Sequence, residues 1–156
     1  MAQRRTTPKT QGKKATAAPT PQALVEEFFA RCEALDLAGL GDYFTEGAVY
    51  HNMPLPAIRG KKRISAFLER GMKGLKGFEV EMIHIAAHGN VVLTERVDRI
   101  VFGEAAIALP VMGVFVVEDG KFSAWRDYFD LWTFVKQMPK ALPAILREQV
   151  LELIPR

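Results

Sequence analysis

Charged residues at alternate positions of an otherwise apolar strand do most to limit what this chain can fold into. The segment is Val91-Val92-Leu93-Thr94-Glu95-Arg96-Val97-Asp98-Arg99-Ile100-Val101. Side chains alternate across a strand, so Arg96 and Asp98 share a face with Thr94 and Ile100. A second strand reads Trp125-Arg126-Asp127-Tyr128-Phe129-Asp130, in which Asp127 shares a face with Trp125 and Phe129. If the two faces line one interior, an Asp-Arg-Asp cluster lies in apolar surroundings. Buried charge is costly unless paired, so the cluster is either a reaction centre or a fully satisfied ion-pair network. Spacing alone supports both equally.

The rest of the chain supplies a frame for these strands. Thr20-Pro21 is a helix start, with Thr as N-cap and Pro at the first helical position. Leu24, Val25, Phe28, Phe29, Cys32 and Leu35 then recur at helical spacing. A short helix is expected over Leu37 to Phe44 and a first strand over Ala48 to Asn52. Met53-Pro54-Leu55-Pro56 ends that strand, because proline offers no N–H to a ladder. Gly60 to Lys73 reads as a helix with Ile64, Phe67 and Leu68 as its stripe. From Phe78 the pattern becomes a meander: Phe78–Ala87 and Val91–Phe102 flank His88-Gly89-Asn90, and Ala105–Val117 and Lys121–Asp130 flank Glu118-Asp119-Gly120. Leu131 to Arg156 is apolar and interrupted by Pro139, Pro143 and Pro155, which predicts helical pieces over an open end of the fold. Helices first and a curved antiparallel sheet afterwards define an α+β class. Residues 21–156 are expected to form one domain, with a C-terminal helical extension from about 135.

Composition narrows the function. The sequence pI of 9.1 comes from the first twenty residues. These hold Arg4, Arg5, Lys9, Lys13 and Lys14 and no acid, which leaves 16 of the 21 basic residues against all 18 acidic ones. The remainder is mildly acidic, which gives a nucleic-acid partner little support. Residues 1–20 are rich in Thr, Ala, Pro and Lys and are expected to be a disordered, solvated tail. An acid-free start with arginine also suits a transit peptide, but no amphipathic face is visible. No apolar run approaches the length of a membrane span. Cys32 is the only cysteine, so no intrachain disulfide can form, which fits a reducing cytoplasm.

An acid and a base with separated pKa values can move two protons in concert. Arg96 is permanently charged, and its planar fork can bond two carboxylates at once. Asp127, between Trp125 and Phe129, is the better candidate acid because desolvation raises a carboxyl pKa; Asp98 is then the base. Tyr50 and Asn52 share a strand face, with His51 opposite, and a phenol with a carboxamide can orient one water. Taken locally, the two are better read as polar groups satisfied near a strand end. His51, His84 and His88 lack ligand-like spacing, so no metal is expected. Gly71, Gly74 and Gly77 lack the strand-to-helix context of a phosphate loop.

Tyr50-His51-Asn52-Met53-Pro54-Leu55-Pro56, Leu93-Thr94-Glu95-Arg96-Val97-Asp98 and Trp125-Arg126-Asp127-Tyr128-Phe129-Asp130 together resemble the limonene-1,2-epoxide hydrolase family, in order and in spacing. The resemblance spans roughly Leu24 to Phe134. It implies a cystatin-like or nuclear-transport-factor-like cone, a homodimer, and a hydrophobic epoxide substrate with water, without cofactor or metal. By the same resemblance Asp98 is the base, Asp127 the acid, Arg96 the bridge, and Tyr50 and Asn52 the water holders. Ile100, Leu109, Val111, Phe129 and Phe134 match apolar pocket positions, with Phe29, Cys32, Leu75 and Val80 completing the lining. Each of these nine is individually also explained by core packing. An isomerase or polyketide-cyclase-like enzyme on the same cone, or a ligand-binding dimeric module, are the rival expectations, since one fold hosts many functions.

Overall fold

Thr20 and Pro21 begin the first helix in the way their local chemistry dictates. In the computed structural model, which describes residues 19–153, Thr20 Oγ1 accepts the Ala23 N–H at 3.2 Å and Pro21 opens α1 (Pro21–Glu33). The hydroxyl satisfies one free N–H of the first turn, and proline has none to satisfy. Leu24, Val25, Phe28, Phe29 and Cys32 are buried as expected. Leu35, expected on the same stripe, lies past the helix end with φ of 51°. In place of the expected helix over Leu37 to Phe44 there is one 3-10 turn, Leu40–Tyr43. Most of the expected basic tail, residues 1–18, lies outside the described residues, as does Pro155.

The remaining elements are β1 (Phe44–Met53), β2 (Ile58–Arg59), α2 (Lys61–Met72), β3 (Gly77–His88), β4 (Val91–Phe102), β5 (Ala105–Glu118), β6 (Lys121–Phe129) and α3 (Leu131–Leu153). The six strands form one curved sheet in the order β2-β1-β6-β5-β4-β3. The meander is antiparallel as expected. Its last turn has φ of 48° at Asp119 and 73° at Gly120, the double positive φ that a tight hairpin turn needs. β1 starts four residues earlier than expected and stops at Met53, ahead of Pro54. It joins the sheet beside β6 in the one parallel pairing, with Tyr50 opposite Trp125 and Asn52 opposite Asp127.

The core lies between α1 and the concave face. Phe28 is fully buried at its centre, with the rings of Tyr43, Phe122 and Trp125 each 5.3 Å away, and those of Phe29 and Phe44 at 5.7 and 5.9 Å. All five contacts are edge-on, the arrangement that the ring quadrupole favours.

β5 outruns β6. Its pairing with β6 ends at Val111 opposite Phe129, and the stretch back to Ala105 has no strand on that side. α3 lies along this free edge. The Gln137 amide donates to Ala108 O at 2.8 Å and accepts Ala108 N–H at 3.0 Å, taking the place of a strand neighbour. Asp130 caps the helix, accepting from Trp132 N–H and Thr133 Oγ1. The expectation of separate helical pieces is corrected: α3 runs continuously through Pro139 and Pro143. Both prolines are exposed. They are four residues apart, so the N–H missing at Pro143 is the one that would have met the Pro139 carbonyl, and the disruption stays on one solvated side.

Replacing Phe28 with alanine removes the hub of five ring contacts. The expected cost is about 3–5 kcal/mol, seen as a lower urea midpoint at unchanged m-value.

Candidate active site

Four strands contribute to a single row across the concave face, three of them with a polar side chain and β5 with a glycine. Register places Thr94 of β4 opposite Gly113 of β5, Gly113 opposite Asp127 of β6, and Asp127 opposite Asn52 of β1. Arg96 and Asp98 follow Thr94 on the same face of β4. The Arg96 guanidinium reaches over β5 and organises the group. Its Nε donates to Asp98 Oδ1 at 2.8 Å and its Nη2 to Asp98 Oδ2 at 3.2 Å. Nη2 also donates to Asp127 Oδ2 at 2.8 Å, and Nη1 to Thr94 Oγ1 at 3.0 Å. Trp125 Nε1 donates to the other Asp127 oxygen at 2.8 Å. Above the cation lies the Phe29 ring, 4.7 Å from Arg96 Cζ to the centroid, close enough for a cation–π contribution. Arg96 is 1% exposed and Asp127 4%, yet no buried side-chain N or O among the described residues lacks a partner.

Gly113 makes this crossing possible. A Cβ built there would overlap Arg96 Nη1, and would lie 2.5 Å from Thr94 Oγ1 and 3.1 Å from Asp127 Oδ1. The guanidinium therefore occupies the volume that any other residue at 113 would fill. The strand pattern shows Gly113 on the inner face, but only the register shows that it sits under the arginine. Thr94 and Trp125, each two residues along its strand from a charged partner, also belong to the network. Parity identified their faces without their hydrogen bonds.

Burial raises both carboxyls above the ordinary carboxylate range, against the lowering effect of Arg96. The Asp127 charge adds a further rise to Asp98. The Arg96 charge is held: burial opposes it, but Asp127 and Asp98 outweigh the burial. Burial, followed by the Asp127 charge, raises Tyr50 well above the usual phenol value, so it stands as a neutral hydroxyl. Burial pushes the Cys32 thiol up to about 12, which leaves an inert, neutral wall residue.

These groups open into a cavity of about 380 Å3 whose lining includes Tyr50, Asn52, Asp98 and Asp127. Of the pocket residues expected from the sequence, Phe29, Cys32, Leu75, Ile100, Leu109, Val111, Phe129 and Phe134 line it. Val80 does not: it packs against the main core near the end of α1, where Glu33 accepts its N–H at 2.8 Å. Phe78, one inward position earlier on β3, lines the cavity in its place. The walls also include Leu55, Phe67, Leu68, Gly71, Met72, Phe102, Trp125 and Leu131. Most of these come from α2, the Pro-rich turn and the start of α3, whose approach to the sheet no local pattern encodes. Among the described residues no three His, Cys, Asp or Glu side chains are grouped so as to hold a metal ion.

Comparison with known proteins agrees with this geometry. A family model described as the limonene-1,2-epoxide hydrolase catalytic domain matches residues 19–140. The chain is 41% identical over 109 residues to the epoxide hydrolase EphG of Mycobacterium tuberculosis, covering 70% of each protein. The solved structure of an M. tuberculosis LEH-like epoxide hydrolase is similar with a TM-score of 0.70 and 34% identity, over 81% of this chain and 94% of that one. A SnoaL-like polyketide cyclase structure from Shewanella denitrificans has a TM-score of 0.69 at 19% identity, over 77% of this chain and 97% of that one, a likeness of fold alone.

The Gly113→Ala variant tests the crossing. Its methyl group must displace Arg96 or lift β5, at an expected cost of about 1–3 kcal/mol. Urea denaturation will measure it; an unchanged midpoint would mean that the guanidinium does not lie over Gly113.

Proposed function

The chain belongs to the limonene-1,2-epoxide hydrolase family, and we propose that it adds water to a hydrophobic epoxide in one concerted acid/base step, releasing a vicinal diol. The observation that carries this reading is the pair of buried carboxyls on one arginine, opening into an apolar cavity beside Tyr50 and Asn52. An isomerase or cyclase on the same cone would need an acid and a base, but neither a shared arginine nor a water clamp.

The register argues for the reverse of the roles read from the sequence. Tyr50 and Asn52 lie on β1 next to β6, and Asn52 is directly opposite Asp127, while Asp98 is on β4, farther along the sheet. A water held by the Tyr50 hydroxyl and the Asn52 amide therefore lies beside Asp127, which makes Asp127 the base. Asp98 then keeps the shared proton, and Oδ2, with the longer 3.2 Å contact to Arg96, is the oxygen to carry it.

In the proposed step the water oxygen forms a bond to one oxirane carbon as its proton passes to Asp127. The carbon–oxygen bond breaks, and the departing oxygen takes the proton of Asp98. One water has been added, and transfer of a proton from Asp127 to Asp98 resets the pair. Positioned acid/base catalysis contributes roughly 10²–10⁴-fold, and holding the water against the carbon adds to it. The chemistry proposed needs no cofactor: Arg96 supplies the positive charge, and the apolar walls suit a terpenoid or lipid-like epoxide.

We further propose a homodimer. The convex face exposes Ile83, Leu93, Met112 and Tyr128, with Met112 at 53% and directly opposite Tyr128 in register. Apolar residues gathered on one sheet face are the mark of a protein interface, and a second copy is the proposed occupant. No helix of the described residues is long and apolar enough to cross a membrane, and a cytoplasmic location is proposed on the lone, buried cysteine.

Three experiments check this reading. In a single turnover with enzyme in excess in ¹⁸O-water, the diol is expected to carry label from the first cycle; unlabelled first-cycle oxygen would make a carboxylate the nucleophile. The rate is expected to rise with pH as Asp127 ionises and to fall as Asp98 loses its proton. Because both pKa values are raised, the acid limb should lie above the ordinary carboxylate range. A rate independent of pH through that region would remove the acid/base pair. Met112→Glu is expected to halve the mass found by light scattering, and an unchanged mass would place the interface elsewhere.

A further inference from the structure

The active-site cavity has a neighbour of opposite character. A surface groove of about 680 Å3 runs between α2 and the edge strand β2, lined by Ile58, Lys62, Arg63, Ala66, Phe67, Arg70 and Gly71. Two of these residues, Phe67 and Gly71, also line the cavity. Phe67 is the partition: its ring centroid lies 5.6 Å from that of Tyr50, and it is 43% exposed. Beside it Gly71 leaves free space, since a Cβ built there would meet nothing within 4 Å.

The charges of the groove are of one sign. Its lining holds Lys62, Arg63 and Arg70 and no carboxylate. Arg63 and Arg70 are seven residues apart on α2, so they lie on one helix face with Phe67 between them. None of the three cations has an ion-pair or hydrogen-bond partner among the described residues. Lys61, one residue earlier, is by contrast paired with Asp42 at 2.8 Å. Inside the cavity every ionisable or amide group belongs to the reaction centre, and the other walls are apolar apart from the inert Cys32. A charged end of a substrate has no partner there, but it has three on the far side of Phe67.

We propose that this groove is a subsite for the anionic end of an elongated epoxide. The chain bearing the oxirane fills the cavity, passes Phe67 and Gly71, and presents a terminal carboxylate to Lys62, Arg63 and Arg70. The arginine forks suit a carboxylate, and the apolar wall of Ile58, Ala66 and Phe67 accepts the last methylenes. The inference rests on the hydrolase reading and deepens it: the substrate class becomes an acid-terminated, lipid-like epoxide. The cations line a concavity that shares Phe67 and Gly71 with the cavity, which favours one ligand spanning both over a membrane surface.

A binding measurement tests the groove separately from turnover. Trp125 lines the cavity, so intrinsic fluorescence can follow titration with a saturated twelve-carbon carboxylate and with its methyl ester, without detergent and below micelle formation. The carboxylate is expected to bind at least about fivefold more tightly, as a few solvent-exposed charge contacts allow. The preference should shrink as salt is added and disappear in the Arg63→Gln/Arg70→Gln variant. Binding of the ester by that variant reports that its cavity is still formed. Equal affinities in the parent protein, or a preference that survives the double substitution, would overturn the subsite. So would a preference seen only on anionic vesicles, which would make the patch a membrane contact. Diol assays on an epoxide acid and its methyl ester run alongside. Absence of diol from both would count against the hydrolase reading, while the binding comparison would still decide the subsite.

Discussion

The Arg96 guanidinium between Asp98 and Asp127 is the interaction around which the rest of the structure is arranged. Removing charged groups from water costs several kcal/mol per ion, and attraction repays it only when geometry and hydrogen bonding are both good. Every surrounding element serves that condition. Gly113 leaves room for the side chain to cross β5, and Thr94 accepts from the Nη1 that faces neither acid. Trp125 engages the second oxygen of Asp127, and α1 lays Phe29 over the cation. A well-packed apolar cluster of the same volume often gives equal or greater stability. The retention of the triad therefore points to the chemistry it enables.

That chemistry depends on asymmetry between two like groups. Both carboxyls are raised by burial and restrained by one shared arginine, and in the proposal the pair carries a single negative charge. Its placement is settled in the proposal by what stands nearby. Tyr50 and Asn52 lie next to Asp127 because β1 enters the sheet parallel to β6, and a base is useful only within reach of the water it activates. Burial among apolar walls raises both pKa values, and in the proposal the same walls admit a hydrophobic substrate.

α3 and α2 finish the cavity from outside the sheet. α3 is tied to the free edge of β5 through Gln137 and contributes Leu131 and Phe134 to the lining. α2 buries Ile64 and Leu68, turns Phe67 towards Tyr50, and leaves Lys62, Arg63 and Arg70 in the adjoining groove. A helix with three such different sides is legible as amphipathic in sequence. Which side meets which neighbour follows only from packing.

Period-two alternation placed Thr94, Arg96 and Asp98 on one face and Trp125, Asp127 and Phe129 on another, because side-chain direction in a strand is a local property. The Thr-Pro helix start, the Asp-Gly hairpin and the stop before Pro54 are local for the same reason, and so the α+β order could be read directly. Part of the pocket wall was legible too, since inward parity on β4, β5 and β6 leads to Ile100, Leu109, Val111 and Phe129. The pairing of β1 with β6 joins segments far apart in the chain, and nothing in either segment announces a parallel partner. On that pairing depends whether Asp98 or Asp127 has Tyr50 and Asn52 beside it, and the base proposed from it is not the one that local desolvation favours. Val80 likewise has the parity of a pocket residue, but the end of α1 lies over it. Prolines 139 and 143 read as helix breaks, yet α3 runs through both, tied to the edge of β5 at Gln137. The sequence by itself determined which side chains share a strand face and which reactive groups are among them. Tertiary structure decided which of them meet, because strand order, register and helix docking arise from burial across the whole domain and not from any one segment.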